Sequence, residues 1–385
     1  MSNESKREYI AFLRLRYQKA NRKERSVILD EIERNFGIHR KSAVRLMLPN
    51  SKVTKRIRGR KPVYGMSTIA ALRVLWQQMD YMCSKKIVAA LPDWLPYFNA
   101  DPGDKEKLLE MSAATMDRVL KPYRAALRRK QNAGTKPGRL LKNIIPVKPL
   151  DFNVTKPGAL EADSVAHCGD SLTGEFSWSL TYTDILTGWT LNRAIWHKEK
   201  NEVVNATRII EKKLPFEITS FSSDNGSEFL NYALLSYFAD PSFRTHMIQM
   251  NRGRPYKKND QCHVEQKNWT HVRQLFGYIR IDKIELIPLM NEIYDVWNVY
   301  QNFFIPQLKL IRKTRIGARY KREYSKPATP YERLLNCNDV SAESKEKIRA
   351  MRAELNPFEL RGYLDRLLRT FMRRHASINS EDLAS

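Results

Sequence analysis

The sequence predicts a multidomain chain: helical helix-turn-helix domains at the N-terminus, an α/β layer domain in the middle, then a small basic β module and a helical C-terminus. Three observations predict it. Apolar residues follow the helical period up to about residue 127, then give way after Pro157 to short runs rich in β-branched and aromatic residues. Lys and Arg number 67 against 42 Asp and Glu, a formal net charge of +25, and they gather where one texture passes into the next. A length of 385 residues suffices for two to four separately cored domains.

Taken in order, residues 1–55 read as a helix-turn-helix domain. Arg25 to Phe36 sets Val27, Ile28, Ile32 and Phe36 on one stripe, with Ser26 as the cap and Gly37 as the break. A second short helix, Arg40 to Leu48, turns Val44 and Leu48 inward and Arg40, Lys41, Ser42 and Arg45 outward, the arrangement that presents donors to a major groove. Residues 56–66 form a basic arm. Arg56, Arg58, Arg60 and Lys61 lie around Gly59 and Pro62, which disfavour a helix and suit an arm in a minor groove. Residues 67–127 form a second helical block, ending in a turn and an amphipathic helix over Leu109 to Leu120. Residues 128–150, opening on Arg128, Arg129 and Lys130, read as a basic linker.

The middle domain covers residues 151–295. Strands are expected over Ala159 to Ala166, Glu175 to Thr183 and Trp189 to Trp196, separated by glycine-bearing turns that make an antiparallel meander. A helix over Lys200 to Leu214, a strand over Ile218 to Ser223, a helix over Ser227 to Phe238, a strand over His246 to Met250 and a helix over Asp260 to Phe276 follow. Residues 296–335 form the basic β module, whose alternating pattern carries Lys313, Arg315 and Arg319, and residues 336–385 form a helical hairpin.

The charge narrows the partners. Residues 1–62 hold eighteen Lys and Arg against six acids, Arg118 to Lys148 holds ten and no acid, and Lys309 to Lys326 holds eight against Glu323. Three patches of one sign point to a polyanion, with nucleic acid first, because each phosphate neutralised releases condensed counterions. No run of apolar residues is long enough for a membrane span, and the first residues lack a secretion signal, so a cytoplasmic, nucleoid-associated protein without membrane contact is expected. Cys83, Cys168, Cys262 and Cys337 form no C-x-x-C pair, which argues against a disulfide framework or zinc finger. The pairs His167-Cys168 and Cys262-His263 are poor zinc sites, since adjacent residues seldom turn to one ion.

Three acids fall at telling places: Asp163 in the first strand, Asp224 at the end of the fourth, Glu265 early in the helix that begins near Asp260. Strand ends and a helix start let carboxylates converge above a sheet, as a two-cation site requires. Glu161, Asp184 and Glu228 lie close by in sequence but are set aside. Basic and amide groups surround Glu265: Arg254, Lys257 and Lys258 before it, Lys267, Asn268 and Arg273 after it. Such groups beside carboxylates suit a phosphate backbone.

The stretches Glu161 to Asp163, Ser222 to Phe229 (with Asp224, Asn225 and Gly226) and Arg254 to Asn268 (with His263 and Glu265) resemble the three acidic motifs of insertion-sequence DDE transposases with a retroviral-integrase catalytic core. The order of strands and helices likewise matches a ribonuclease H-like arrangement. Where integrases often carry Lys four residues after the glutamate, this chain has Trp269. The resemblance implies that Asp163, Asp224 and Glu265 bind two Mg²⁺, with Mn²⁺ able to substitute. It implies cleavage at the ends of a mobile element and joining of the 3′ end to target DNA. The implied partners are double-stranded DNA, as terminal inverted repeats and target, and a second copy of the chain, at least a dimer when two ends are held together. Two other readings remain: a catalytically silent DNA-binding regulator descended from such an enzyme, and a nuclease of the same fold that cuts without joining.

Overall fold

The computed structural model describes residues 3–48, 63–127, 154–223, 229, 231–242, 244, 246–252 and 262–384. The basic arm from Arg56 to Lys61, the linker residues Arg128, Arg129 and Lys130, the acids Asp224 and Glu228, and Arg254, Lys257 and Lys258 lie outside them. The chain divides into two compact units, Met1–Val63 and Tyr64–Ser385. Among the described residues no helix is long and apolar enough to cross a membrane.

Among its described residues the first unit has three helices, α1 (Asn3–Lys19), α2 (Arg22–Phe36) and α3 (Arg40–Met47), around Leu13, Ile28, Leu29, Ile32, Ala43 and Met47. Helix α1 is absent from the sequence reading, and its presence shifts the buried stripe. Val27 and Leu48, expected inside, are 63% and 53% exposed, while Leu29, Ala43 and Met47 are buried. The cap also moves. Asn21, not Ser26, begins α2 through a capping box in which Glu24 N donates to Asn21 Oδ1 (3.1 Å) and Asn21 N to Glu24 Oε2 (2.9 Å). Gly37 ends α2 in the left-handed conformation, as its lack of Cβ allows.

The second unit starts with four helices, α4 (Met66–Gln78), α5 (Ser84–Trp94), α6 (Pro102–Glu110) and α7 (Ala113–Leu127). A mixed α/β core follows: β1 (Ala159–Ala166), β2 (Trp178–Asp184), β3 (Thr190–Ile195), α8 (Lys200–Lys213), β4 (Ser220–Ser223), α9 (Tyr232–Ala239) and β5 (Gln249–Arg252). Then come α10 (Cys262–Lys267), a π-helical segment (Asn268–Arg273) and α11 (Gln274–Phe276), which together form one helical rod with a widened middle. The chain ends with α12 (Ile287–Phe304), the hairpin β6 (Leu310–Ile316) and β7 (Arg319–Tyr324), α13 (Pro330–Leu335), α14 (Ala342–Ala353) and α15 (Pro357–Ala384). Residues 296–304, assigned from sequence to the β module, are therefore helical. Strand β5 begins three residues later than expected, because its extent is set by parallel pairing to the four residues of β4.

The sheet order is β3-β2-β1-β4-β5, with the first three antiparallel and β1, β4 and β5 parallel. Alternation along the strands gives it two unlike faces. Leu160, Ala162, Tyr182, Leu191 and Phe221 are buried on one, where Tyr182 reaches Thr207 of α8 (2.8 Å) and Phe221 meets Phe238 of α9. The other face carries Glu161, Asp163, Thr181, Thr183, Thr190 and Asn192.

Edge strand β3 is closed by a ladder of asparagines. Asn302, Asn298 and Asn291 of α12 each accept from and donate to the backbone of one β3 residue, Thr190, Asn192 and Ala194 in turn, at 2.8–3.2 Å. Each amide replaces one residue of a missing neighbouring strand and satisfies groups that would otherwise be buried unpaired. The helical block is tied to the same helix by Trp94, whose indole N–H donates to Phe304 O (3.2 Å) and whose ring packs edge-on against Tyr300, Phe304 and Phe358.

Two histidines are locked in the core. Burial pushes His167 down to about 3 and, with Lys267 and Lys86 nearby, holds His271 well below the ordinary imidazole value. Both stay neutral in the fold and take up protons near pH 6.5 once unfolded, so stability falls as pH drops below about 6.5, by about 1.4 kcal/mol per pH unit for each histidine. Urea unfolding at pH 7.5, 6 and 5 measures this, and a midpoint that stays constant over that range contradicts it.

Candidate functional site

The polar sheet face is buried, which is costly unless every group is bonded. Its rows follow strand register: Asp163, Thr181 and Asn192 in one, Glu161, Thr183 and Thr190 in the next, with Ser222 and Asn251 continuing the second row across β4 and β5. Asn192 Nδ2 donates to Thr181 Oγ1 (2.8 Å), and the hydroxyls of Thr183 and Thr190 lie 3.1 Å apart. Helix α10 and the π segment cover these rows and bond to them three times. Val264 N donates to Glu161 Oε2 (3.0 Å), Asn268 Nδ2 to Asp163 Oδ2 (2.5 Å) and His271 Nδ1 to Asn192 Oδ1 (3.0 Å). The extra residue per turn of a π segment rotates its neighbours, and here Asn268 and His271 both meet the sheet.

Asp163 is half-buried, with its second oxygen accepting from Ser164 N (2.8 Å). Its neighbour in the chain, Ala162, pairs with Ser223, the last residue of parallel β4. Glu265 is the fourth residue of α10; its backbone is described and its side chain is not. Of the three acids, then, Asp163 has a described carboxylate. Among the described residues no group of three His, Cys, Asp or Glu side chains is placed to hold a metal ion.

Glu161 and Asp184, two of the acids set aside, have structural work. Glu161 is fully buried and accepts the backbone N–H of Val264, which ties α10 to the sheet. Asp184, also fully buried, accepts from Gly158 N (2.8 Å), Thr187 N (2.7 Å) and Thr187 Oγ1 (2.6 Å), and burial raises its carboxyl above the ordinary value. His167 Nε2 lies 2.7 Å from Ser179 Oγ and Cys168 Sγ faces its neighbour's carbonyl, so neither approaches the other as a zinc pair.

The residues expected to touch DNA part into groups. Lys41, Ser42 and Arg45 share the exposed face of α3, whereas Arg40 binds Ser26, Asp30 and Glu33 within its own unit. Arg273 points inward: it donates to Ala166 O (3.2 Å) and Gly277 O (3.3 Å) and lies over the Tyr278 ring. Asn268 is engaged with Asp163. Trp269 is half exposed, tilted against Tyr278. Lys267 is half-buried, and desolvation, with the charges of Lys86 and Arg333, holds its amine well below the ordinary lysine value. Arg315 and Arg319 are exposed on the β6–β7 hairpin; Lys313 sits in β6, its side chain outside the described atoms.

No protein-family model matches the sequence. The catalytic core domain of BIV integrase, a solved structure, is 14% identical with a TM-score of 0.30, covering 50% of this chain and 98% of that one, a likeness too slight to bear on fold or function. The uncharacterized protein y4rM of Sinorhizobium fredii (strain NBRC 101917 / NGR234) is 35% identical over 325 residues, spanning 83% of this chain and 91% of the relative. This chain accordingly belongs to the same family as y4rM.

Proposed function

We propose that this protein is a DNA transposase whose α/β core is ribonuclease H-like and in which Asp163, Asp224 and Glu265 carry the cutting and joining of DNA. The observation that supports it most is the buried polar sheet face: Glu161 and Asp163 stand in adjacent rows, and the helix bearing Glu265 is bonded to both. Asp224 follows Ser223 in the chain just as Asp163 follows Ala162, and Ala162 and Ser223 are register partners on parallel strands. All three acids supply hard oxygen donors, which fit Mg²⁺ or Mn²⁺. Two such ions would activate a water or a DNA 3′-hydroxyl for in-line attack on a phosphodiester and stabilise the departing oxygen.

The chain's own residues have distinct tasks in this reading. Asn268 holds one oxygen of Asp163 and so fixes the carboxylate's rotation, while Glu161 anchors the helix that carries Glu265. The exposed row Lys41, Ser42 and Arg45 would meet base edges and phosphates in a major groove, and Arg315 and Arg319 a phosphate backbone. Holding two element ends together calls for at least two copies of the chain on duplex DNA.

The test is strand transfer from a labelled duplex bearing the element's own terminal repeat, in Mg²⁺ or Mn²⁺, comparing wild type with Asp224→Asn. Joined product with wild type and none with the variant, at equal repeat binding, is expected. A second reading is the DNA-binding regulator. It is favoured by the Asp163 carboxylate, each of whose oxygens accepts a hydrogen bond within the fold. Tight repeat binding with neither nicking nor joining in either ion selects it.

A further inference from the structure

The β6–β7 hairpin stands on a fixed base. Gln307 and Ala328 exchange backbone hydrogen bonds (2.8 and 3.2 Å), and Ser325 N donates to Lys309 O (2.8 Å). The Lys309 ammonium donates in turn to Leu186 O, just beyond β2 (2.7 Å). At the far end the two residues Gly317-Ala318 turn the chain, with Gly317 at φ +57°, a conformation that glycine adopts readily. A tied base and a tight turn pin the register, and register decides which side chains share a face.

The two faces differ in chemistry. Residues directly opposite one another point to the same side, so the pairs Leu310–Tyr324 and Arg315–Tyr320 mark one face, to which alternation along β7 adds Arg322. The pairs Arg312–Glu323, Thr314–Lys321 and Ile316–Arg319 mark the other. Glu323 is the one acid between Leu310 and Tyr324. It accepts from Arg312 Nε and Nη2 (3.0 Å each) and lies 3.6 Å from the Lys321 ammonium. That second face therefore carries a counter-charge, and the first has arginines with no acid on it. Along β7 the first face runs Tyr320, Arg322, Tyr324, a cation between two rings, and each ring is 51% exposed.

We infer that this face of the hairpin, with Arg315, Tyr320, Arg322 and Tyr324, binds an unpaired strand of DNA. Cations without a counter-charge fit a polyanion. A tyrosine ring stacks on a base whose own face is open, whereas bases in a duplex are stacked on neighbours about 3.4 Å away. Four residues along a strand span roughly 13 Å, so the two rings stand well apart with Arg322 midway. That spacing suits a drawn-out strand whose bases lie over the rings and whose intervening phosphate meets the arginine. The choice of DNA over RNA rests on the function proposed above. The binding face itself does not, because it uses none of Asp163, Asp224 and Glu265.

The test measures binding of the full chain to a labelled oligothymidylate and to a blunt DNA duplex of equal length. EDTA is present throughout, so cutting and joining play no part and failure here is distinct from failure in strand transfer. Wild type is expected to bind the single strand. Joint substitution of Tyr320→Leu and Tyr324→Leu should weaken that binding at least about tenfold, and duplex binding by less than about twofold, since no charge is removed. Arg322→Gln and Lys321→Gln remove the same charge at adjacent positions on opposite faces. The first should weaken single-strand binding at least about threefold more than the second. Ultraviolet crosslinking of wild type to oligothymidylate, which needs no variant, should mark Tyr320 or Tyr324. The inference is overturned by a wild type that does not bind the strand, by a double variant that binds it like wild type, or by equal losses on strand and duplex. Equal effects of the two cation variants, or crosslinks confined to other residues, overturn it too. Oligouridylate that binds more tightly than oligothymidylate overturns the assignment to DNA and makes RNA the occupant.

Discussion

Asp163→Asn is expected to reduce DNA joining by at least about a thousandfold while leaving the melting temperature and repeat binding near those of wild type. The substitution keeps the shape of the side chain and removes its charge, so packing in β1 is preserved and the affinity for a divalent cation is lost. Asn268→Ala should act more mildly. It frees one oxygen of Asp163 without altering the charge, and loss of such an orienting partner typically costs about ten- to a hundredfold in metal affinity or activity. The pair of variants is informative together, because raising the Mn²⁺ concentration should recover part of the Asn268→Ala activity and none of the Asp163→Asn activity. Equal, unrescued losses in both would show that Asn268 supports the fold of the helix and not the orientation of Asp163.

The second large effect is on stability. Asn298→Leu keeps the size of the side chain on α12 and removes both its hydrogen bonds to Asn192, at 3.0 and 3.2 Å. The N–H and C=O of Asn192 then remain buried without partners, and about 1–3 kcal/mol is expected for each, so about 2–6 kcal/mol in total. Urea unfolding of the two proteins measures the difference. A loss below about 1 kcal/mol would mean that water enters and bonds the edge of β3 instead. Loss of the ladder also bares a strand edge, and concentration-dependent association of Asn298→Leu should accompany the destabilisation.

Much of the core was legible in the chain. Strand β1 runs from Ala159 to Ala166 as read, and α8 from Lys200 to Lys213 ends one residue short of the expected Leu214. Both are long relative to their period and bounded by turn residues, so local pattern alone defines them. The polar face could be traced as well, since Glu161 and Asp163 two apart in a strand must share a side. Other features gave no local signal. Val27 and Leu48 were placed inside because the apolar stripe was drawn for two helices, whereas α1 makes a third wall and rotates the buried positions by a residue or so. Asn291, Asn298 and Asn302 look in sequence like solvated polar positions.

The sequence by itself determined the order and type of the elements in the core, the separation of a basic helical front from an α/β middle, and the positions of Asp163 on a strand and Glu265 on a helix. Those depend on periodicity, turn chemistry and charge, which act over a few residues. Only the tertiary structure decided that Glu161 bonds the backbone of α10 and that asparagines close the edge of β3. Each of these joins residues about a hundred or more positions apart, and the fate of a polar group, whether solvated or buried and bonded, is set by which distant element arrives to cover it.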